Sequence, residues 1–248
     1  MKVILKKLDT YAHNGGRDFA NVFDSWLDWM IDHWSLDTVL ACKCNLSAVN
    51  ERMRQDNPTF HDCYTLAVTH TAEEIEKQGW SDAFGSLYEE KIKSGYKASS
   101  MGQFFTSDSL CELIASVGKQ GEYTPLIYDP ACGSGRLPLA VWGLVDKKKF
   151  HYFVLGDLDP LSCKMSALNM MFNGMFGIVE RRDALTKKFF NGYIINEMCY
   201  PFPSGIPSIR KADEAECQDN LRTAWRYIPK KIDNAPPSMP QQFSLFNF

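Results

Sequence analysis

The sequence predicts an α/β fold in which a sheet region follows a helical N-terminal subdomain. Two observations lead to this prediction. From about residue 107 onward, short apolar runs bounded by glycine or aspartate alternate with segments of helical periodicity, whereas the periodic segments before residue 100 are all helical. Strands that alternate with helices are typical of a parallel, doubly wound sheet with right-handed crossovers.

Residues 1–100 are predicted to form the helical subdomain. Its clearest element is a helix that begins after Asp18, a residue type that commonly caps helix N-termini. One face of this helix carries eight large apolar residues at helical spacing: Phe19, Val22, Phe23, Trp26, Leu27, Met30, Ile31 and Trp34. We interpret this stripe as core packing and not as a cofactor-binding surface. Two more helices are predicted, from near Thr59 to Lys77 and over residues 81–94.

Residues 101–210 are predicted to form the sheet domain. A helix closed by Gly118 comes first, and the strands that follow are "PLIYD", "FHYFVLGD", "GIVERRD" and "GYIIN". The segments "GRLPLAVWGLV" and "PLSCKMSALNMMFNG" are predicted to be the crossover helices. Residues 211–248 are predicted to be a proline-rich C-terminal tail with one helix in "DEAECQDNLRTAWRYI".

Polar residues end each predicted strand. Because the carboxyl ends of parallel strands meet at one edge of a sheet, Asp129, Asp157, Asp183 and Asn196 are expected to converge there. These residues predict a binding edge.

The stretch "YDPACGSGRL" connects the first strand to its helix through Gly133 and Gly135, which permit a tight turn and close approach of a ligand. A turn of this kind also needs glycine for steric reasons alone. A P-loop would need Lys and Ser/Thr after Gly135, and a dinucleotide fingerprint would need a small residue where Pro138 stands, so neither diphosphate motif fits. Asp157, at the tip of the next strand, is suited to accept the hydroxyl hydrogens of a ribose.

Charge, apolar runs and cysteine content limit the class of protein that the sequence can encode. The net charge of −3 gives no global sign of a nucleic-acid partner, and no apolar run approaches the ~20 residues that cross a bilayer. With no secretory core at the start, we expect a cytoplasmic protein with no membrane partner. The eight cysteines are expected to be reduced thiols, and the Cys42–Cys44 pair lacks the further ligands of a metal site.

Four segments, in order along the chain, resemble motifs of one known family: "MGQFFTSDSL", "DPACGSGRL", "GDLDPLSCKMSALNMMFNG" and "RRDAL". They are similar to the adenine-specific DNA methyltransferases typified by the modification (M) subunit of type I restriction-modification systems, the N-6 DNA methylases. The resemblance runs from about Asp82 to Asp183, under half of the chain. It implies a Rossmann-like sheet that binds S-adenosylmethionine, with DNA and a specificity subunit as partners.

The resemblance also implies residue roles. Phe104, Phe105 and Thr106 would flank the methionine end of the cofactor, and Asp129 with the glycine turn would face the same moiety. Asp157 would bind the ribose and Asp183 the adenine amino group. The expected cofactor-binding residues are Phe104, Phe105, Thr106, Asp129, Pro130, Ala131, Gly133, Gly135, Asp157, Asp159, Asp183 and Ala184. The alternatives are hydrophobic packing between the helical subdomain and the sheet for the two phenylalanines and helix capping for Asp183.

The catalytic element departs from the family pattern. Those enzymes place Asn-Pro-Pro-Tyr/Phe after the fourth strand to hold a flipped adenine, whereas this chain has "IINEMCYPFPSG". The catalytic candidates are therefore Asn196 as the amide and Tyr200, or alternatively Phe202, as the stacking ring. Glu197 and Met198 replace the two prolines, and the chain after the fourth strand is short for a complete sheet, so a truncated or specialised member is expected.

The sequence leaves two functions open. One is methyl transfer to adenine in DNA, with RNA or another amine as further substrates. The other is a catalytically degenerate accessory protein associated with DNA or with the bacterial sliding clamp. The ending "QQFSLFNF" resembles a clamp-docking peptide with Gln242, Leu245 and Phe246 as contact residues. Its alternative is an edge strand formed by Phe243, Leu245 and Phe248.

Overall fold

The computed structural model describes residues 1–93, 106–118, 123, 125–199 and 206–226. Seven helices come first: α1 Lys2–Asn14, α2 Phe19–His33, α3 Leu36–Ala41, α4 Leu46–Asp56, α5 Pro58–Gln78, α6 Ala83–Lys93 and α7 Asp108–Gly118. The sheet region follows with β1 Leu126–Asp129, α8 Arg136–Leu144, β2 Tyr152–Asp157, α9 Pro160–Phe172, β3 Gly177–Arg182, β4 Phe189–Ile195, β5 Ile209–Ala212 and α10 Glu214–Trp225.

The aromatic stripe on α2 forms the centre of the main core, as predicted. The Asp18 carboxylate caps this helix by accepting a hydrogen bond from the backbone N–H of Ala20. All eight residues of the stripe are buried, and Trp34 lies just past the end of the helix. Phe23 and Trp26 belong to the same hydrophobic cluster as Phe153 of β2. The N-terminal helices and the sheet therefore share one core.

The two faces of the sheet are covered unequally. Helices α8 and α9, which connect the parallel strands, lie on one face, where they pack between the sheet and the N-terminal helices. On the opposite face, Cys217 and Leu221 of α10 pack against Val154 and Ile178. The helix predicted in the proline-rich tail is α10, which packs against the sheet, whereas the sequence does not predict the short strand β5.

The strand order is β1-β2-β3-β4-β5, and the expectation of a wholly parallel sheet is wrong. β1, β2 and β3 are parallel, whereas β4 pairs antiparallel with β3 and β5 antiparallel with β4. The reason is the short connection over residues 183–188, because a parallel crossover needs about a dozen residues or more. The chain instead closes a hairpin.

This reversal changes which residues end at the binding edge. Asp129 and Asp157 end β1 and β2, and Asp183 follows β3 at the same edge. Ile195, the last residue of β4, pairs with Gly177 at the start of β3. Asn196 therefore lies at the opposite edge of the sheet, and its expected convergence with the three aspartates is wrong.

Candidate functional site

The turn between β1 and α8 is built around two glycines in the left-handed conformation, Gly133 at φ 57° and Gly135 at φ 89°. It is closed by a hydrogen bond from the Gly135 N–H to the Cys132 carbonyl at 2.8 Å. A Cβ on Gly135 would lie 3.0 Å from Ser166 Oγ, so this glycine also allows close packing against α9. A Cβ on Gly133 would meet nothing within 4 Å, so the turn faces open space at that residue.

Asp157 joins the end of β2 to this turn. Its Oδ2 accepts a hydrogen bond from the Gly133 N–H at 2.9 Å, and its Oδ1 accepts one from the Asp159 N–H at 2.9 Å. Each carboxylate oxygen has a second lone pair, and the side chain is partly exposed, so Asp157 has acceptor capacity left for a ligand. Asp159 itself caps α9 through a hydrogen bond from Ser162 N to its Oδ2 at 2.8 Å.

Asp129 gives the site a second carboxylate. Its Oδ1 accepts a hydrogen bond from Ala131 N at 3.1 Å, and the residue is only 8% exposed. The pKa of Asp129 is raised from 3.8 to about 6, and burial is the largest cause; the hydrogen bond from Ala131 N lowers the pKa, and the nearby charge of Asp157 raises it. Burial likewise raises the pKa of Asp157. The two acids repel each other, and a cation bound between them would relieve that repulsion.

A buried polar cluster forms hydrogen bonds to Ser134 of the glycine turn. The sequence-based predictions do not identify this cluster. Asp82 is its centre: the carboxylate accepts hydrogen bonds from Ser134 Oγ, Arg136 Nε and Asn169 Nδ2, each at 2.7 Å, and from Gly85 N at 2.9 Å. Asn169 Nδ2 also donates to the Ser134 carbonyl at 2.9 Å. The start of α6 is thereby fastened to the glycine turn and to α9.

Arg136 extends this cluster towards α7. Its Nη1 donates to the Thr106 carbonyl at 2.9 Å and to Glu89 at 3.1 Å, and its Nε lies 3.3 Å from Asp108 Oδ1. Burial alone would lower the pKa of Arg136, but attraction to Asp82 and the other carboxylates raises it, so the side chain is cationic. Thr106, expected near the cofactor, is thus held beside the turn through its carbonyl.

Asp183 and Ala184 lie in the hairpin connection. Asp183 Oδ1 accepts hydrogen bonds from Leu185 N at 2.9 Å and Thr186 N at 3.1 Å, which lower its pKa. The carboxylate therefore stabilises the turn of the hairpin and does not cap a helix, and its cofactor-binding role stays a prediction. Ala184 is exposed beside it.

Asn196 has a structural role, and the structure does not place it beside the glycine turn, where a catalytic amide would be expected. The residue is 1% exposed, and its Nδ2 donates to the carbonyls of Met171 at 3.2 Å and Met175 at 2.9 Å. Its Oδ1 accepts a hydrogen bond from Ser208 N at 3.2 Å. The amide therefore forms hydrogen bonds with backbone groups at the end of α9, just after α9 and just before β5. All of these groups lie at the edge of the sheet opposite the glycine turn. The short hairpin connection was the sequence signal that could have shown this.

Nine residues named in the predictions lie outside the described part of the chain: Phe104, Phe105, Tyr200, Phe202, Gln242, Phe243, Leu245, Phe246 and Phe248. Their roles stay predictions, as does docking on a sliding clamp. All eight cysteines are free thiols. Within the described ranges no cluster of three or more His, Cys, Asp or Glu side chains could hold a metal ion. None of the described helices is long and apolar enough to cross a membrane.

Comparison with known proteins identifies a related family. Residues 79–198 match the family model described as N-6 DNA Methylase. Over 142 residues the chain is 30% identical to the type I restriction enzyme MpnII methylase subunit of Mycoplasma pneumoniae, an alignment that covers 53% of this chain. The chain spans 26% of that relative's length. No solved structure matches the chain significantly.

Proposed function

We propose, on the premise that residues 79–198 are N-6 DNA methylase-like, that this chain binds S-adenosylmethionine at the glycine turn and methylates adenine in DNA. The observation that carries the proposal is the pair of carboxylates, Asp129 and Asp157, on either side of the open turn at Gly133. The carboxylate oxygens are acceptors. Such a site is therefore suited to bind a ligand that carries hydroxyl donors, as a nucleoside does, and a positive charge.

The residues present fit this cofactor in four respects. Gly133 leaves open space where a side chain would otherwise stand. The free lone pairs of Asp157 suit the two hydroxyl groups of a ribose, and an ionised Asp129 suits the ammonium of the methionine moiety. Leu158, 46% exposed next to Asp157, offers an apolar surface for a planar base.

The chemistry requires little of the protein beyond positioning. S-adenosylmethionine, when bound, supplies an electrophilic methyl group on a sulfonium, and transfer to the N6 amine leaves a neutral thioether and releases one proton. The Asp82 cluster holds the glycine turn in a fixed conformation and so would keep the residues that contact the cofactor in place. Among the described residues we assign no group to the target amine, because Asn196 is at the other edge.

Binding can be measured by calorimetry on the full chain. Wild type is expected to bind S-adenosylmethionine, and Asp157→Ala should weaken binding by about 10- to 100-fold, because hydrogen bonds to a charged group contribute roughly 1.5–3 kcal/mol. Asp37→Asn, which removes an exposed acid from α3, is the matched control and should bind like wild type. A wild-type protein that folds but does not bind the cofactor at millimolar concentration would refute the proposal.

The binding constant should also depend on pH. The pKa of Asp129 is about 6, so this residue is largely neutral at pH 5 and largely ionised at pH 7. If the ionised form binds the ammonium, affinity should rise by up to roughly tenfold per pH unit below 6 and level off above it. Asp129→Asn should remove this dependence, and a variant that retains it would show that another group titrates.

The placement of Asn196 favours a second candidate function, a catalytically degenerate accessory protein that binds the cofactor and DNA without methyl transfer. Incubation of the full chain with labelled cofactor and mixed-sequence DNA separates the two. Label in adenine N6 supports the methyltransferase, whereas cofactor binding without label supports the accessory protein. Because the relative is a subunit of a restriction enzyme, we also propose a specificity subunit as partner and include it in a parallel assay.

A further inference from the structure

The hairpin formed by β3 and β4 carries a concentration of positive charge in a chain whose net charge is −3. We call residues 181–190, "RRDALTKKFF", the basic hairpin. It contains four basic residues and a single acid, Asp183, whose carboxylate is engaged by the backbone of its own turn. The formal charge of the segment itself is therefore about +3, opposite in sign to the charge of the whole chain.

Three of the four cations are available to a partner. Arg182 is already engaged, because its Nε lies 2.9 Å from Glu180 and its Nη2 2.7 Å from Glu214. Arg181, Lys187 and Lys188 make no ion pair within the described part of the chain, and both lysines are exposed. The hairpin thus presents cations that the fold itself does not neutralise.

Aromatic and apolar groups hold and extend this surface. The ring of Phe190, 41% exposed, has Arg181 Cζ at 4.7 Å and Lys188 Nζ at 5.0 Å from its centroid. These cation–π contacts keep the two charges on one side of the hairpin. Leu185, at the tip, is 94% exposed. A two-stranded ribbon with cations along it has dimensions that the major groove of DNA can admit.

The basic hairpin adjoins the candidate site. Arg181 pairs with Asp157 in the β2–β3 ladder, and its Nε donates to the Leu158 carbonyl at 3.2 Å. The hairpin therefore continues the sheet edge at which Asp129 and Asp157 lie.

We propose that the basic hairpin binds the phosphate backbone of duplex DNA next to the candidate site. The charge pattern argues for a polyanion, and the identification of that polyanion as DNA rests on the proposed function. An anionic membrane is the less suitable partner, because Leu185 and Phe190 offer only two exposed apolar side chains and stable membrane attachment needs a larger buried apolar area.

The test compares two triple variants of the full chain by fluorescence anisotropy with a duplex of about 30 base pairs. The hairpin variant is Arg181→Gln, Lys187→Gln and Lys188→Gln. The matched control removes the same charge from exposed positions on α1 and α4, through Lys2→Gln, Lys6→Gln and Arg52→Gln. Thermal melts establish that both are folded, and the single change Lys188→Gln serves if the hairpin variant does not fold.

The salt dependence identifies phosphate contacts. Each contact contributes about 0.9 to the slope of log affinity against log salt, so the hairpin variant should lose two to three units of slope between roughly 50 and 200 mM salt, and at least tenfold in affinity at low salt. Lys188→Gln should lose about one unit. The control should keep the wild-type slope. Equal slopes for the hairpin variant and wild type would overturn the inference.

Two further measurements on the same samples separate the alternatives. Loss of DNA affinity in the hairpin variant supports the inference even if wild type does not bind S-adenosylmethionine, a result that would refute only the proposed function. Cofactor binding with DNA affinity that does not depend on the hairpin refutes only this inference. Wild type that binds anionic phosphatidylserine vesicles but not DNA would overturn it in favour of a membrane surface.

Discussion

Arg136 Nε lies 2.7 Å from Asp82 Oδ2, and both side chains are almost completely buried. These residues are 54 positions apart in sequence, one just before α6 and the other at the start of α8. Their contact joins the helical region to the glycine turn at the place where the candidate site needs rigidity. A buried ion pair of this kind is weak evidence for net stability, but removal of one partner leaves the other charge without compensation.

Asp82→Asn is therefore expected to lower the free energy of unfolding by about 3 kcal/mol, as measured by urea denaturation. The control is Arg54→Gln, which removes the exposed Arg54–Glu51 ion pair on α4 and should cost less than about 1 kcal/mol. Similar losses for the two variants would show that the buried pair has no special role.

Gly85→Ala should disturb the same cluster sterically. A Cβ at Gly85 would overlap Ser134 Oγ and the Asp82 carboxylate, and neither can move without breaking hydrogen bonds to the turn. We expect a loss of about 1–3 kcal/mol in the free energy of unfolding and weaker cofactor binding. Gly118→Ala is the control, because a Cβ there meets nothing within 4 Å, and its stability should be unchanged or slightly higher. A Gly85→Ala protein as stable as wild type would contradict the close packing of α6 against Ser134 and the Asp82 carboxylate.

Asp129→Asn should stabilise the protein near neutral pH. The pKa of Asp129 is raised from 3.8 to about 6, so the folded state binds more protons than the unfolded state between these values. The contribution of Asp129 to stability is therefore complete below pH ~4 and lost as pH rises through ~6. The variant keeps an oxygen for the Ala131 N–H but has no charge to bury.

The measurement for this variant is the difference in unfolding free energy between variant and wild type at several pH values. It should be near zero at pH ~4 and reach at most ~3 kcal/mol in favour of the variant above pH ~6, since two pKa units correspond to that energy. A constant difference across this range would mean that Asp129 does not titrate with the raised pKa.

Asn196→Ala should destabilise the fold without affecting the candidate site. It removes three hydrogen bonds and places alanine at φ 56°, a left-handed conformation that alanine adopts at a cost. We expect a loss of about 2–4 kcal/mol in unfolding free energy, and Asn196→Gly should recover about 1 kcal/mol of it. Calorimetry at low temperature should give a cofactor affinity within about twofold of wild type. A selective loss of binding in a fully folded variant would restore Asn196 to the site.

Local features were predictable from the sequence because neighbouring residues encode them. The buried stripe of α2 follows from apolar residues at helical spacing, and its N-terminus follows from the capping group of Asp18. The turn at Gly133 and Gly135 follows from a strand, two glycines and a helix in succession. In each case the hydrogen bonds and rotations that define the element lie within a few residues of one another.

The tertiary structure decided which polar groups meet, and it shows the strand direction that the short β3–β4 connection implies. β4 reverses because its connection to β3 is too short for a crossover, and this reversal moves Asn196 away from Asp129 and Asp157. Asp82 and Arg136 meet because burial forces distant charges to find partners inside the fold, a requirement that no local pattern expresses. The sequence by itself thus determined four strands of the sheet, the helices that connect the parallel ones and the glycine turn, whereas packing and strand direction determined the composition of the site.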